Sequence, residues 1–301
     1  MRGELFHLVI YAAVLASLAT PALAQSRIDC NVMNSSILHD AVHYCVLIPP
    51  GYDAASKAPS ARYPILYFLH GLGENEQTMF KTGGWTLLDD FRQQHKIGNF
   101  LIVTPEAKAS FYVNSADGKV RYDDFFLREF IPHIESLYHV PRERGARAIT
   151  GISMGGYGAL HFAFAHPDTF SAVSAQSAAL MTESPQELNA AARSGTPLGR
   201  LLGSVFGTPI NIQHWHDNDP LFLARKNRAA LGRLAINFNC GREDNFDFEV
   251  GAEALHRLLQ AENIRHEFHL YAGDHSPRYF MVHLGEILQF HSDRFRSSTG
   301  P

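Results

Sequence analysis

Short apolar runs alternate with longer amphipathic stretches along this sequence. The runs are five to eight residues long and bounded by glycine, proline or polar residues, as is typical of buried β-strands. We predict strands at residues 63–70, 100–105, 146–150, 171–177, 234–238 and 267–271. In the stretches between them, apolar residues recur every three or four positions, which is the period of a helix. We predict helices at residues 122–138, 246–262 and 277–295, and a further helix of small residues at 154–165.

Strands that alternate with helices predict an α/β protein, in which a mostly parallel sheet carries helices on both faces. The 301 residues suffice for one large domain of this kind. Residues 181–233 break the alternation with proline, glycine and one or two helical pieces. For this segment we predict a cap or lid insertion over one edge of the sheet.

The first 24 residues are typical of a signal peptide. An apolar stretch at residues 8–19 is shorter than the about twenty residues that a membrane-spanning helix needs. Ala22-Leu23-Ala24 then has small residues at the positions that signal peptidase reads. A buried core helix is the alternative, and Glu4 favours it slightly. We predict export, to the periplasm or out of the cell, of a single domain comprising residues 25–301.

Export would bring the three cysteines into an oxidising compartment, where disulfides form. Cys30 and Cys45 lie in two β-like segments on either side of a polar stretch at residues 34–40. An antiparallel hairpin would bring them opposite one another, so we predict a disulfide between them, with two unrelated buried thiols as the alternative. Cys240 is left over and is expected to be a buried free thiol.

Composition and charge exclude several classes of protein. With 46% hydrophobic and 11% aromatic residues, the chain has none of the composition of a disordered protein. Its net charge is −4 and it has no run of Lys or Arg, so we expect no nucleic-acid partner. No stretch after residue 24 is apolar and long enough to span a membrane.

The central chemical motif is Gly151-Ile152-Ser153-Met154-Gly155, which lies between a predicted strand and a predicted helix. In a nucleophile elbow, a serine lies on a sharp turn between a strand and a helix, and the flanking glycines let other backbone approach closely. A chance Gly-x-Ser-x-Gly turn is the alternative, but the position between strand and helix favours the elbow. We therefore predict Ser153 as the nucleophile of an α/β-hydrolase fold.

A serine hydroxyl needs a base, and in this fold the acid and then the base follow the serine along the chain. Two later strands end in suitable residues, at the edge where open α/β sheets carry their sites. His275 follows the last strand and is the predicted base. Asp244 follows the strand before it and is the predicted acid, in competition with Glu243 and Asp247. Asp247 is equally suited to the start of the next helix, where the helix dipole favours an acidic residue.

The oxyanion that forms on the attacked carbonyl needs preorganised donors. One is predicted to be the backbone N–H of Met154, the residue after the nucleophile. The second is predicted in the turn His70-Gly71-Leu72-Gly73, which follows an early strand, and Leu72 is the candidate. An ordinary glycine-rich loop is the alternative for this turn.

A possible metal motif is the stretch His214-Trp215-His216-Asp217-Asn218-Asp219, which resembles part of a binuclear zinc signature. Asn218 occupies the position of a carboxylate ligand and no histidine follows, whereas zinc sites require tight ligand geometry. We expect neither a metal nor an organic cofactor. Trp215 is expected instead in a lid loop near the pocket.

These motifs resemble the "Putative esterase" family of α/β-hydrolases, which includes feruloyl and acetylxylan esterases, S-formylglutathione hydrolases, enterochelin esterases and mycolyltransferases. The resemblance is carried by residues 69–73, 148–160 and 166–170, and it extends over residues 46–290. It implies an acid in the stretch from Cys240 to Asp244, a histidine at position 275 and Leu72 as an oxyanion donor. Pro277 departs from the family, which has an aromatic residue after its His-Ser pair.

Residues and resemblance together predict a serine hydrolase that cleaves carboxylic esters through an acyl-enzyme. An exported enzyme does not meet cytosolic glutathione, so short-chain acyl esters and feruloyl or acetyl esters of sugars are the expected substrates. Four aromatic residues are candidates to flank a sugar or phenolic ring, or to be structural: Trp85, Phe111, Tyr112 and Trp215. A thioesterase similar to S-formylglutathione hydrolase, an acyltransferase and a non-catalytic binding protein are the alternatives.

Overall fold

A computed structural model of the protein describes residues 26–55 and 62–298. The signal peptide predicted at residues 1–24 lies outside the described residues. Within them, none of the helices combines the length and the apolar character needed to cross a membrane.

Eight strands form one sheet, in the order β1-β2-β4-β3-β5-β6-β7-β8. Their bounds are β1 Arg27–Ser35, β2 Asp40–Ile48, β3 Ile65–Leu69, β4 Leu101–Pro105, β5 Arg147–Ile152, β6 Ala172–Gln176, β7 Ala235–Gly241 and β8 Glu267–Tyr271. Strands β3 to β8 are mutually parallel, and β2 runs antiparallel to both of its neighbours. The six strands predicted from apolar runs are all present, with ends shifted by at most three residues.

Helices cover both faces of this sheet. They are α1 Tyr52–Ala55, α2 Thr78–Lys81, α3 Gly84–Gln93, α4 Tyr122–Phe125, α5 Ile131–Leu137, α6 Met154–Ala165, α7 Pro185–Arg193, α8 Pro197–Phe206, α9 Ile212–Asn218, α10 Pro220–Lys226, α11 Arg228–Leu231, α12 Phe248–Ala261 and α13 Pro277–Ser298. One core packs the strands against α6 and α12, and a second packs them against α3 and α13. The predicted α/β architecture, a mostly parallel sheet between helices, is confirmed.

The helix predicted at residues 122–138 is interrupted. Between α4 and α5, residues Phe126–Phe130 form a π-helical stretch. Pro132 lies in the first turn of α5 and has no N–H, so the carbonyl of Arg128 four residues earlier lacks its ordinary helical donor. The helix widens at this point and continues to Leu137.

Residues 181–233 contain five helices, α7 to α11, where one or two pieces were predicted. Four of them begin at a polar residue whose side chain accepts a backbone hydrogen bond from the first turn: Ser184, Thr196, Asn211 and Asp219. Proline follows three of these caps, and a proline at the first helical position favours a helix start rather than a break. The segment packs on α6, where the Tyr157 hydroxyl donates to the carbonyl of Asn218 at 2.9 Å.

The N-terminal hairpin contains the predicted disulfide. Strands β1 and β2 are antiparallel, and their register sets Cys30 opposite Cys45. The two Cα atoms are 4.0 Å apart and the sulfur atoms are bonded. Cys240 is buried and free, as predicted.

Candidate active site

Ser153 lies in a sharp turn between β5 and α6. Its backbone has φ 54° and ψ −118°, a conformation that residues with a side chain rarely adopt. The turn is tight because a Cβ added at Gly151 would lie 2.2 Å from the carbonyl oxygen of Gly155, and one added at Gly155 would lie 2.0 Å from that of Leu69. Only glycine fits at these two positions, so the sequence motif has the geometry of a nucleophile elbow.

His275 follows β8 and reaches the serine. Its Nε2 is 2.9 Å from Ser153 Oγ, and its Nδ1 is 2.7 Å from Asp244 Oδ2. A carboxylate only accepts hydrogen bonds, so Nδ1–H donates to Asp244 and the serine hydroxyl donates to Nε2. The structure therefore brings together the three side chains that the sequence proposed as nucleophile, base and acid.

Asp244 follows β7, and its carboxylate is buried beneath His275. Burial by itself raises the pKa of the Asp244 carboxyl, but hydrogen bonds from His275 and from the Phe246 N–H outweigh it and leave the pKa lowered. The carboxylate is therefore charged at neutral pH. A charged acceptor at this position fixes the imidazole in the tautomer that leaves Nε2 free to accept a proton.

Asp247 and Glu243, the other two candidates for the catalytic acid, lie away from the imidazole. Asp247 is exposed at the start of α12 and has a positive φ of 57°. Glu243 accepts a hydrogen bond from the Gly273 N–H at 2.6 Å. Of the three acids weighed from the sequence, only Asp244 contacts the imidazole.

The loops after β7 and β8 are bonded to each other along their backbones. Arg242 N–H donates to Tyr271 O at 2.8 Å and Glu243 N–H donates to Gly273 O at 3.0 Å. A Cβ added at Gly241 would lie 2.3 Å from Gly273 O, so glycine permits this approach. The backbone N–H of His275 donates to Asn245 Oδ1 at 3.1 Å, which adds a further link.

Two backbone N–H groups were predicted as oxyanion donors, those of Met154 and Leu72. Met154 begins α6, so its N–H has no acceptor within the helix and lies at the positive end of the helix dipole. The Leu72 N–H donates to none of the described residues. Gly71, beside it, approaches the serine, since a Cβ added there would lie 3.6 Å from Ser153 Cβ.

Several residues of the site were not predicted from the sequence. The His275 ring has edge-on contacts with Phe246, Phe248 and Phe280, at centroid distances of 4.9, 5.4 and 5.2 Å. These residues come from the loop after β7, from α12 and from α13, so no local pattern joins them. Their adjacency to Asp244 and His275 in the sequence was the available signal.

A second unpredicted group lies below Asp244. The Cys240 thiol donates to Ser177 Oγ at 3.5 Å and is 3.7 Å from Asp244 Oδ2. Burial raises the pKa of this thiol to about 12, so it stays neutral beside the carboxylate. Ser177 follows β6, the strand between those that lead to Ser153 and to Asp244.

Two of the aromatic residues proposed for substrate binding, Tyr112 and Trp215, lie in the core. Tyr112 is fully buried, packs on Gly158 and donates its hydroxyl to the His70 carbonyl at 2.9 Å. Trp215 is buried in α9 against Phe206, with ring centroids 4.5 Å apart. The structure does not bring either ring to the surface beside Ser153, and the contacts of both are those of packing residues.

The residues at 214–219, which resemble part of a zinc signature, make packing and helix-capping contacts. His216 stacks on Phe222 at 3.8 Å between centroids, and Asp219 caps α10. Among the residues that the structure describes, no three His, Cys, Asp or Glu side chains are placed to hold a metal ion.

An apolar cavity of about 300 Å³ lies elsewhere on the molecule, between the start of β2, the loop after β4 and α8. None of the residues around Ser153 lines it.

The candidate active site is therefore at the carboxyl ends of the strands. It consists of a serine hydroxyl hydrogen-bonded to an imidazole, which is hydrogen-bonded to a buried carboxylate, beside two free backbone N–H donors. Such an arrangement performs nucleophilic acyl transfer.

Comparison with known proteins identifies the family of this chain. The model of the family described as "Putative esterase" matches residues 35–291. Two curated proteins of Mycobacterium tuberculosis, Esterase MT1326 of strain CDC 1551 and Esterase Rv1288 of strain H37Rv, are each 30% identical over 171 residues, or 55% of this chain. The aligned part is 36% of each of those proteins, so the chain corresponds to about a third of their length.

Solved structures share the fold over nearly the whole chain. A ferulic acid esterase is 26% identical with a TM-score of 0.74, covering 90% of this chain and 99% of its own. A fluorophosphonate-binding serine hydrolase of Staphylococcus aureus, FphF, is 21% identical with a TM-score of 0.73, covering 88% and 98%. An S-formylglutathione hydrolase of the same organism is 20% identical with a TM-score of 0.71, again covering 88% and 98%. The last two likenesses bear on fold alone.

Proposed function

This chain belongs to the "Putative esterase" family of carboxylic ester hydrolases, and from that premise we propose that it is a serine esterase with Ser153 as nucleophile, His275 as base and Asp244 as acid. The observation that carries the proposal is the continuous path of hydrogen bonds, 2.9 Å from Ser153 to His275 and 2.7 Å from His275 to Asp244. These lengths lie within the range for direct proton transfer.

In the first step, Ser153 Oγ attacks the ester carbonyl while His275 Nε2 takes the hydroxyl proton. Asp244 stabilises the imidazolium that forms. The N–H groups of Leu72 and Met154 donate to the carbonyl oxygen as it becomes an oxyanion. His275 then gives its proton to the leaving alcohol, and the acyl group stays on the serine.

In the second step, His275 Nε2 takes a proton from water, whose oxygen attacks the acyl-enzyme carbonyl. The tetrahedral intermediate collapses, the imidazolium returns its proton to Ser153 Oγ, and the carboxylic acid leaves. No step requires a metal or an organic cofactor.

For the substrate we propose short-chain acyl esters, or acetyl and feruloyl esters of sugars. Two apolar side chains on the loops after β3 and β7 are exposed: Leu72 is 50% exposed and Phe246 is 58% exposed. Phe246 contacts His275 and presents a ring against which an aromatic acyl or alcohol group can pack. The similarity to a ferulic acid esterase supports the same class.

Labelling with a fluorophosphonate probe tests the nucleophile. The wild-type protein should form a covalent adduct that Ser153→Ala lacks, and the variant should lose nearly all hydrolysis of a p-nitrophenyl ester. Labelling of Ser153→Ala to the wild-type extent would show that another residue is the nucleophile. A binding protein without catalysis would show neither adduct nor turnover.

A substrate panel tests the substrate class. We expect a feruloyl or acetyl sugar ester to have a higher kcat/KM than S-formylglutathione. A preference of a hundredfold or more for the thioester, about 2.7 kcal/mol in transition-state binding, would favour the thioesterase alternative. Transfer of the acyl group to an added sugar faster than to water would favour an acyltransferase.

Phe246→Ala tests the proposed apolar contact. Aromatic pairs contribute about 1 kcal/mol beyond area burial, so we expect kcat/KM to fall about fivefold for a feruloyl ester and little for an acetyl ester. The matched control is Leu137→Ala, which removes a similarly exposed apolar side chain, 57% exposed, at the end of α5. Equal losses for both esters in Phe246→Ala would remove the ring from the substrate contact.

A further inference from the structure

His70 lies at the end of β3, immediately before the turn that contains Leu72, and it is 1% exposed. Its Nε2 is the acceptor for the backbone N–H of Ala107 at 3.0 Å. An amide N–H can only donate, so Nε2 carries no proton and the ring hydrogen is on Nδ1. Nδ1–H therefore donates to Gly71 O, 2.8 Å away.

The ring is held in this neutral form by its surroundings. Burial lowers the pKa of His70, against the opposing effect of the Gly71 carbonyl and of three acidic residues, Glu74, Glu76 and Glu106. An imidazolium would also need a proton on Nε2, where the Ala107 N–H already points. The tautomer is thus set by the fold.

Gly71 O accepts two hydrogen bonds, from His70 Nδ1–H at 2.8 Å and from the Glu74 N–H at 3.2 Å, and the shorter one comes from the imidazole. These bonds determine the direction of the Gly71 C=O and so that of the Leu72 N–H. Both groups belong to one planar trans peptide, in which C=O and N–H point to opposite sides. When His70 holds the carbonyl towards the protein interior, the N–H is directed outwards. The neighbouring peptides are fixed as well, because the Gly71 N–H donates to Glu74 Oε2 at 2.7 Å and the Tyr112 hydroxyl donates to His70 O at 2.9 Å.

We propose that His70 is a positioning residue for the esterase reaction: its Nδ1–H holds the Gly71–Leu72 peptide so that the Leu72 N–H is aimed at the oxyanion. The inference rests on the proposed function, because it requires that the oxyanion form beside Ser153. The His70 ring has hydrogen bonds to Gly71 and Ala107 and none to Ser153. Its contribution is made through the peptide that it orients.

Two conservative variants separate this role from packing. In His70→Asn the amide nitrogen takes the place of Nδ1 and keeps the donor to Gly71 O, while the acceptor for Ala107 is lost. In His70→Gln the longer amide reaches the place of Nε2 and keeps that acceptor, while the donor to Gly71 is lost. Each variant therefore removes one of the two ring hydrogen bonds, and only the second variant leaves the Glu74 N–H as the remaining donor to Gly71 O.

We expect His70→Gln to lower kcat by about 10²-fold, the lower end of the loss typical of one oxyanion donor, because the Glu74 N–H still donates to Gly71 O; KM should change little. His70→Asn should keep kcat within about tenfold of the wild type, although it leaves the larger void. A trifluoromethyl ketone, whose serine adduct carries an oxyanion, should bind more weakly to His70→Gln in proportion to the loss of kcat/KM. If the histidine only fills space, His70→Asn should be the worse variant, and that order would overturn the proposal.

The tautomer can be measured in the wild-type protein, whatever the variants do. Ring ¹⁵N chemical shifts of His70 should show a protonated Nδ1 and an unprotonated Nε2. A proton on Nε2 would refute the proposal, since the ring would then have no donor for Gly71 O. Failure of the proposed function gives a different result: Ser153→Ala would retain turnover, and neither His70 variant would affect binding of the ketone.

Discussion

Ser153 combines a strained backbone with the reactive side chain. The conformation at φ 54° and ψ −118° is held by the Ser153 N–H, which donates to Gln176 O at 2.9 Å, and by the Ala179 N–H, which donates to Ser153 O at 3.1 Å. Strain of this kind costs about 1 to 3 kcal/mol for a residue with a Cβ. Those bonds keep the hydroxyl directed towards His275.

The strain predicts an unusual order of stability for two inactive variants. Ser153→Gly should be about 1 kcal/mol more stable than Ser153→Ala, because glycine adopts this conformation without strain while losing less than 1 kcal/mol to chain entropy. Urea unfolding of both variants measures the difference. If the alanine variant is the more stable, the elbow is not strained.

The two acids near His275 should differ in their effect on turnover. Asp244→Asn should lower kcat by about 10⁴-fold, because the amide favours the wrong imidazole tautomer. The matched control is Asp247→Asn, which alters an exposed residue three positions away and should leave kcat near the wild-type value. Steady-state kinetics on one ester compares them, and a large loss in Asp247→Asn would reassign the acid.

The lowered pKa of Asp244 also gives a pH dependence of stability. Its pKa is lower in the folded protein than the value near 3.9 of an unfolded chain, so the ionised form favours folding. This contribution is complete above about pH 4 and is lost as pH falls through the folded pKa. The melting temperature of the wild type should therefore fall more steeply below pH 4 than that of Asp244→Asn. Parallel curves would contradict this linkage.

At the scale of elements, the hairpin of β1 and β2 forms one edge of the sheet, and its disulfide closes a separation of 15 residues. In the chain-entropy account, a loop of that size contributes about 3 kcal/mol. Replacing Cys30 and Cys45 together by serine should lower the free energy of unfolding by about that amount and leave kcat unchanged. Loss of kcat in the double variant would mean that the hairpin supports the site.

The sequence predicted elements better than their contacts. Each strand could be predicted because a buried parallel strand is a continuous apolar run, as in residues 65–69. Ser153 could be predicted because its turn requires glycines on both sides. The aromatic contacts of His275 were not visible, because Phe248 and Phe280 come from different helices and no period relates them. Only one or two of the five helices at 181–233 were predicted, because three of them begin with a cap and a proline, and such starts resemble breaks when they are judged by apolar spacing alone.

At the scale of the whole molecule, the site is assembled from strands that lie side by side. The order along the chain predicted the serine, the acid and the histidine. The strand order β5-β6-β7-β8 sets the distances between them. Strand β6 also brings Ser177 between the serine and the acid. The placement of β6 between β5 and β7 is a property of the sheet topology, and local sequence patterns do not specify it.

Export is the remaining proposal at this scale. We propose that residues 1–24 direct secretion, and a disulfide of the kind found in oxidising compartments supports it. A full-length protein made in a secreting bacterium should appear outside the cytoplasm with Gln25 as its first residue and without a free thiol at Cys30 or Cys45. Intact-mass measurement checks this. Retention in the cytoplasm at full length would refute the prediction.

The hydrogen bonds between the loops after β7 and β8 affect how Asp244 and His275 move. Strand β8 is at one edge of the sheet and pairs with a strand on one side only, yet the backbone bonds from Arg242 and Glu243 tie its loop to that of the neighbouring strand. We therefore expect Asp244 and His275 to move together, so that fluctuations of the edge change their distances from Ser153 more than the distance between them. We expect the imidazole to keep its tautomer through motions that separate it from the serine.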